Sequence, residues 1–139
     1  MTAQTDLADV EALVATARTA QRAYEANGSQ MRYDRAAQAA AWAIMEPARN
    51  HTLAALAVKT TGLGNVPDKI TKNHRKTLGL MRDIADAKTC GIISDDPATG
   101  ITEIARPVGV VGAVVPSTNP AATPANNIIN ALKGGNAIV

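Results

Sequence analysis

The residues best placed for chemistry form a short polar loop, Pro116–Pro120, which directly follows an apolar run, Val108–Val115. The loop offers backbone N–H groups, the hydroxyls of Ser117 and Thr118, and the side-chain amide of Asn119. Such donors at the start of a helix suit an anion, or an oxyanion that forms during a reaction. The loop is therefore the first candidate for a functional site.

A purely structural interpretation of the same residues is also open. Asn119 or Thr123 can cap the helix that follows, with Pro120 or Pro124 at its first position. On local sequence alone, capping is the favoured interpretation.

Other reactive residues lack suitable neighbours. Cys90 has no histidine or acidic base in a recognisable pattern around it, which favours a small buried residue over a nucleophile. His51 and His74 lie too far apart, and lack partners at zinc spacing, so we expect no metal site. One basic cluster is interleaved with Asp68, Asp83 and Asp86, which favours a solvated helix face over a nucleic-acid patch. Its members are Lys69, Lys72, His74, Arg75 and Lys76.

Composition limits the classes of partner and the compartment. The chain has 139 residues, with 14 Lys+Arg against 12 Asp+Glu, a balance that argues against nucleic acid and acidic membrane surfaces. No apolar run approaches the ~20 residues of a membrane helix, and the polar start MTAQTDLADV shows no signal peptide. A single cysteine fits a reducing compartment. We therefore expect a cytoplasmic protein without a membrane span.

The first half of the sequence has the period of helices. Apolar residues at steps of three and four predict a helix over about 6–26 with one inward stripe: Leu7, Val10, Leu13, Val14, Ala17, Ala20 and Tyr24. A second helix, about 29–45, has Met31, Ala37, Ala41, Ile44 and Met45 inward. A third is predicted for about 47–60. A fourth begins at Pro67, and one face of it carries Ile70, His74, Leu78, Met81 and Ile84 or Ala85.

The second half changes to the pattern of an α/β protein. Lys88–Ser94 and Ile101–Arg106 read as two short strands joined by the turn formers of residues 95–100. The uncharged, β-branched run Val108–Val115 suits a central parallel strand. A helix ending near Lys133 and a strand from Asn136 complete one βαβ unit. Two such strands cannot cover their own edges, so we expect these residues to be the front of a larger sheet or to need a partner.

Three motifs give the sequence a family resemblance. The segment 101–139 resembles the aldehyde dehydrogenase superfamily, where a strand, loop, helix and strand enter the NAD-binding domain. The details look like the CoA-acylating branch, which includes acetaldehyde, propionaldehyde and sulfoacetaldehyde dehydrogenases. That branch carries a Pro-Ser/Thr-Thr-Asn-Pro loop (here Pro116–Pro120), an Asp-Lys-x-x-Lys-Asn-His helix (here Asp68–His74) and a Lys-Thr-Cys-Gly element (here Lys88–Gly91). The resemblance covers almost the whole chain, as the N-terminal portion of such an enzyme.

The resemblance implies three parts and a reaction. Residues 1–87 would be a helical segment that packs on the cofactor domain, 88–106 an arm that joins subunits of a homo-oligomer, and 107–139 the start of a Rossmann-like NAD(P)-binding domain. A cysteine thiolate would attack a small aldehyde, hydride would pass to NAD or NADP, and CoA would resolve the thioester. That cysteine lies beyond position 139 in the family, so we expect the chain alone to be inactive.

The resemblance also implies roles for the loop. Val114, Val115, Pro116, Ser117, Thr118 and Asn119 would lie along the cofactor, near the reacting carbon. The family's asparagine, whose amide stabilises the thiohemiacetal oxyanion, falls on Thr118 when counted from Pro116 and on Asn119 by residue type. We favour Asn119, because an amide is the better fixed donor.

A hypothesis from another class is a non-catalytic helical module. It would dimerise or bind a partner through its open sheet edge and its arm strands.

Overall fold

The computed structural model describes residues 3–139, with side chains from Leu7 onward. Five helices and four strands follow one another along these residues. The helices are α1 (Ala3–Ala26), α2 (Gln30–Met45), α3 (Pro47–Thr61), α4 (Val66–Asp83) and α5 (Ala122–Lys133). The strands are β1 (Gly91–Asp96), β2 (Ile101–Ala105), β3 (Val110–Val111) and β4 (Ala137–Ile138). This is the mixed α/β class that the sequence predicts.

Local chemistry sets the ends of the helices. Ser29 caps α2 by accepting a hydrogen bond from the backbone N–H of Arg32. Glu46 separates α2 from α3, and its carboxylate accepts from the N–H groups of Ala48 and Arg49. These two backbone hydrogen bonds hold the pKa of Glu46 below its ordinary value. Helix α2 ends at Met45 and α3 begins at Pro47, which confirms the helix break predicted from this proline.

The stripe predicted for α1 is partly covered only beyond Leu13, where Val14, Ala17 and Tyr24 are half-buried and Ala20 is exposed. Leu7, Val10 and Leu13 are 54–60% exposed, so the prediction that they face inward is wrong. Further along, Gln21 is buried and donates to the carbonyl of Gly135, and the Tyr24 hydroxyl donates to the carbonyl of Leu132. Helix α1 contacts both β3 and β4. Helical periodicity marks a face, but tertiary contacts decide how much of it is covered.

Small residues of α2 pack against α5 to form the centre of the core. Ala37 and Ala41 are buried against Ile129, and Leu80, Met81 and Ile84 pack around them. Ala37, Ala41 and Ile44 are inward as predicted, but Met31 is 62% exposed. Alanine at the contact lets two helices approach closely, which places α5 against α2.

The buried face of α4 is polar, whereas its predicted face carries apolar residues. Leu78 is 51% exposed and His74 is exposed, so that prediction is wrong for both. Lys69, Asn73 and Thr77, four residues apart, are buried instead. The Asn73 amide donates to the Asn50 side chain over 3.0 Å, and the Asn50 amide donates to the Ile70 carbonyl over 3.1 Å. Hydrogen bonds between α3 and α4 therefore bind the buried amides of Asn50 and Asn73, whereas the buried Thr77 hydroxyl has no recorded partner among the described residues.

Strands β1 and β2 form an exposed antiparallel hairpin. Ile92 pairs with Ile104, and Asp96 with Ile101, with an irregularity between Ile92 and Ser94. The predicted first strand began too early: the backbone N–H of Thr89 donates to the Gln30 side chain over 2.8 Å, which ties this residue to α2. The Asp96 carboxylate closes the turn by accepting from Thr99 and from the N–H of Ala98.

Strands β3 and β4 are parallel, and α5 connects them as one βαβ unit. The prediction of a strand over Val108–Val115 was too long. The described ladder runs from the Gly109 carbonyl, which accepts from Ala137 N–H, to the Ala113 N–H, which donates to the Val139 carbonyl. Beyond it, Val114 is 96% exposed.

Asn136 fixes where β3 begins. Its buried side-chain oxygen accepts from the N–H groups of Val108 and Gly109, over 2.7 and 3.0 Å. Before it, Gly135 has φ +72°, and a Cβ there would lie 2.6 Å from the Tyr33 ring. Only glycine lets the chain pass this close to the ring and enter β4.

Candidate functional site

The polar loop lies past the carboxyl end of β3, where open α/β sheets bind ligands. The N–H of Asn119 donates to the carbonyl of Pro116 over 3.2 Å, which closes a turn over residues 116–119. Val114, Val115, Pro116, Ser117 and Thr118 are exposed, and Asn119 is half-buried. The loop therefore presents its polar groups at the surface of the described residues.

Neither predicted capping residue caps α5 with its side chain. The N-cap position is Ala121, which makes no side-chain cap hydrogen bond. The backbone carbonyl of Asn119 accepts from the N–H of Thr123 over 3.3 Å, and Pro124 is the third residue of the helix. The favoured structural interpretation is therefore wrong for the side chains of Asn119 and Thr123.

The side chain of Asn119 is uncommitted among the described residues, where no hydrogen bond to its amide is recorded. Asn119 is half-buried and Thr118 is exposed, so the Asn119 side chain can adopt fewer conformations than the Thr118 side chain. A free amide on a half-buried side chain can donate to an oxygen that gains negative charge. The assignment of Asn119, with Thr118 as the alternative, stays a prediction.

Lys69 binds the backbone of the loop from helix α4. Its side chain is buried, with 8% of the residue exposed, and Nζ donates to the backbone carbonyl of Thr118 over 3.1 Å. The prediction that Lys69 belongs to a solvated face is therefore wrong. Arg75, Lys76 and His74 are exposed, in accord with that prediction.

The contact joins two motifs that the sequence presents 49 residues apart. Lys69 lies in the first turn of α4, after the N-cap Asn65, whose side chain accepts from the N–H of Asp68. One sequence signal could have identified Lys69. Lys69, Asn73 and Thr77 follow one another at steps of four and so share one face of α4, which is the buried face. A cleft lies between this turn and the loop, and Gly64, Asp68, Lys69, Lys72 and Thr118 contribute to its lining.

The remaining reactive residues do not join this site. Cys90 is half-buried, and its Sγ lies 3.9 Å from the Gln30 side-chain oxygen. His51 and His74 are both exposed. Within the described residues, no three His, Cys, Asp or Glu side chains are grouped closely enough to hold a metal ion. Nor does any described helix combine the length and apolar character needed to cross a bilayer.

The comparison with protein families decides the assignment, because the model described as "Aldehyde dehydrogenase family" matches residues 1–139. The chain belongs to the aldehyde dehydrogenase family. The family resemblance of the three motifs is thereby confirmed.

The curated and solved relatives of this aldehyde dehydrogenase chain include proteins named as acylating or acetylating enzymes. The sulfoacetaldehyde dehydrogenase (acylating) of Cupriavidus necator is 66% identical over 130 residues, which cover 94% of this chain and 26% of that protein. An acetylating aldehyde dehydrogenase from Geobacillus thermoglucosidasius superimposes with a TM-score of 0.89 at 38% identity, covering 97% of this chain and 29% of that one. The chain thus spans about a quarter of the length of these relatives.

A third relative carries a nucleotide. An engineered glycolyl-CoA reductase with bound NADP+ superimposes with a TM-score of 0.72 at 28% identity, covering 92% of this chain and 28% of that one. The prediction of an α/β aldehyde dehydrogenase fold is confirmed.

Proposed function

We propose that this chain is the N-terminal part of a CoA-acylating aldehyde dehydrogenase, which converts an aldehyde, CoA and NAD(P)+ to an acyl-CoA and NAD(P)H. The observation that carries the proposal is the 66% identity to the Cupriavidus necator enzyme along 94% of the chain. Sulfoacetaldehyde is the first substrate to test, because that relative is named for it. In our proposal the chain contributes part of the site, and the nucleophilic cysteine comes from outside residues 1–139.

The loop at the end of β3 is proposed to lie along the cofactor. The chemistry of the loop fits a dinucleotide, because exposed backbone groups and the hydroxyls of Ser117 and Thr118 face open space beyond a parallel strand. Bound NAD(P)+ supplies the acceptor for hydride. Val114, Val115 and Pro116 would shape the apolar side of that site, and Ser117 would add a polar contact.

The amide of Asn119 is proposed as the donor to the oxyanion that forms when a thiolate adds to the aldehyde. Its position supports this role, since it is half-buried at the carboxyl end of β3. A half-buried amide has fewer conformations than an exposed group, so less reorganisation accompanies formation of the negative charge. Thr118 is the second candidate for the same role.

The hairpin of β1 and β2 is proposed to join subunits. Ile92, Ile101 and Ile104 are 59–62% exposed on it, and its described packing is mainly between its own two strands. Exposed isoleucines on an unpaired hairpin favour pairing with another copy. The same observation supports the second candidate function, a non-catalytic interaction module.

A chimera tests the proposed function against that second candidate. The 130 matched residues of the Cupriavidus necator enzyme are replaced by this chain, and NAD(P)+ reduction is followed with sulfoacetaldehyde and CoA. A functional N-terminal part gives turnover within about tenfold of the unaltered enzyme. A chimera that folds and assembles without turnover would favour the interaction module.

The DNA that follows the codon for Val139 gives an independent test of the two functions. A reading frame that continues into the sequence of the family, with a downstream cysteine nucleophile, agrees with the enzyme. A stop codon at that point agrees with the module.

A further inference from the structure

We infer that Lys69 is a positioning residue for the loop, and that it acts by holding the Thr118–Asn119 peptide group. This inference rests on the proposed function for its effect on catalysis. Its structural part rests on the contacts of Lys69 alone.

Both polar groups of this one peptide are bound. The carbonyl of Thr118 accepts from Lys69 Nζ over 3.1 Å, and the N–H of Asn119 donates to the carbonyl of Pro116 over 3.2 Å. In a trans peptide the C=O and the N–H point in opposite directions within the plane, so the two bonds hold its opposite edges and together resist its rotation. The Cα of Asn119 lies in that plane, so holding the plane limits the positions that the Asn119 side chain can reach.

The ammonium group of Lys69 is itself held in place. A Cβ added to Gly64 would lie 3.4 Å from Lys69 Cε, so the lysine stem packs under the turn that leads into α4. The Asn65 side chain fixes the first turn of α4 by accepting from Asp68 N–H over 2.9 Å. The described ion pairs are Arg49–Glu46, Arg82–Asp83 and Lys133–Asp34, and none includes Lys69. Among the described residues, the Thr118 carbonyl is thus the recorded partner of a buried cation, which costs free energy unless it is bound.

The direction of the Thr118 carbonyl also matters electrostatically. A carbonyl oxygen aimed into an oxyanion site repels the charge that develops there. Lys69 draws this oxygen towards α4 and offsets its partial negative charge with an ammonium group. The same bond therefore holds the peptide next to Asn119 and neutralises an acceptor in the loop.

The first test compares two lysine variants of the chimera. Lys69→Met keeps the length of the stem and removes the donor, whereas Lys76→Met removes the same charge from an exposed position of α4 outside the cleft, for which no hydrogen bond to the loop is recorded in the described residues. We expect Lys69→Met to lower kcat about 10- to 100-fold, the range that follows a small misplacement of a reacting group. KM for the aldehyde and for CoA should change less, and Lys76→Met should stay within about twofold of the chimera. Equal losses in the two variants would overturn the inference.

A double variant separates positioning from a general loss of structure. If Lys69 acts through Asn119, Lys69→Met costs less than about twofold in kcat when Asn119→Ala is already present. An undiminished loss in that background would show that Lys69 acts independently of Asn119, which contradicts the inference.

Hydrogen exchange gives a readout that does not need activity. In the chimera, the peptide covering residues 116–121 should exchange about tenfold faster in Lys69→Met than in Lys76→Met, while α2 and α3 keep their protection. Unchanged exchange in that peptide, or faster exchange throughout α3 and α4, would contradict the inference. If the chimera or Asn119→Ala shows that the proposed function is wrong, this measurement alone decides the structural role of Lys69.

Discussion

The ammonium of Lys133 and the carboxylate of Asp34 form an ion pair that ties the end of α5 to α2. Lys133 is the only charged residue after Arg106 in the sequence, and its side chain is 7% exposed. Gln30 donates to the same carboxylate, and the Lys133 backbone carbonyl accepts from Thr89. The pair therefore links the helical bundle, the base of the hairpin and the βαβ unit.

Replacing Asp34 tests this link through its dependence on pH. Burial of Asp34 works to raise its pKa, but the hydrogen bonds from Lys133 and Gln30 outweigh it and leave the pKa below the ordinary aspartate value. A lowered pKa stabilises the fold above the pKa of the unfolded chain, about 4, and this stabilisation is lost as the pH falls through the folded value. Asp34→Asn should lower the free energy of unfolding by about 2 kcal/mol at pH 7, less than for a fully buried pair because Asp34 is 32% exposed.

Urea unfolding of the chain, followed by circular dichroism, checks the Asp34 prediction. The difference between the two proteins should be constant from pH 8 to about 5 and shrink below about pH 4. A difference that grows as the pH falls would contradict the ion pair as its cause.

Gly135 tests the close passage at the start of β4. In Gly135→Ala the new Cβ would lie 2.6 Å from the buried Tyr33 ring and 2.8 Å from Pro107, in addition to the strain of φ +72°. We expect a loss of about 3 kcal/mol in the free energy of unfolding. Gly62→Ala is the matched control, with φ +67° and open space around its Cβ, and should cost about 1 kcal/mol. Similar losses in the free energy of unfolding of the two variants would mean that the Tyr33 ring moves aside, which would contradict the prediction.

Sequence patterns predicted the elements better than their buried faces. The helices, the hairpin and the parallel βαβ order follow from local period and turn residues. These patterns do not predict that Leu7 and Leu78 are exposed or that Lys69 is buried. An apolar stripe identifies one face of a helix, but it does not identify the surface that covers that face. The strand predicted over Val108–Val115 was too long. Its bounds depend on backbone pairing with Ala137 and Ile138, which residue type does not predict.

The site was found only in part for a similar reason. The loop of Ser117, Thr118 and Asn119 stands out by residue type and by its place after an apolar strand. The hydrogen bond from Lys69 to the Thr118 carbonyl cannot be predicted in this way, because every residue has a backbone carbonyl whatever its type.

Two loop variants separate the candidates for the oxyanion donor. In the chimera, Asn119→Ala should lower kcat about 100-fold or more, as expected for loss of one such donor. Thr118→Val keeps the shape of the side chain without its hydroxyl and should change kcat less than about threefold. Steady-state kinetics with sulfoacetaldehyde measure both values, and the reverse order would assign the role to Thr118.

The hairpin predicts how subunits assemble. Ile104 lies opposite Ile92 on one face and is 60% exposed, so Ile104→Lys should place a charge in the proposed contact and release smaller species. Glu103→Lys, on the opposite face of β2, is the control and should leave assembly unchanged. Sedimentation of the two chimeras measures the mass. A chimera that keeps its mass with Ile104→Lys would contradict assembly through this face.

The chain of 139 residues should have no dehydrogenase activity by itself. Cys90 lies beside Gln30, and no histidine contact to its Sγ is recorded in the described part of the chain, so nothing there activates it as a nucleophile. The purified chain is assayed with aldehyde, CoA and NAD(P)+. Turnover that Cys90→Ser abolishes would overturn this prediction.

The most direct measurement is the amount of acyl-CoA that the chimera forms per NAD(P)H produced. If this chain serves as the N-terminal part of an acylating aldehyde dehydrogenase, the two products appear in equal amounts during turnover. When CoA is left out, no acyl-CoA forms and NAD(P)H formation stops after at most one equivalent per active site. A folded and assembled chimera that forms neither product, while the unaltered Cupriavidus necator enzyme forms both, would contradict the account.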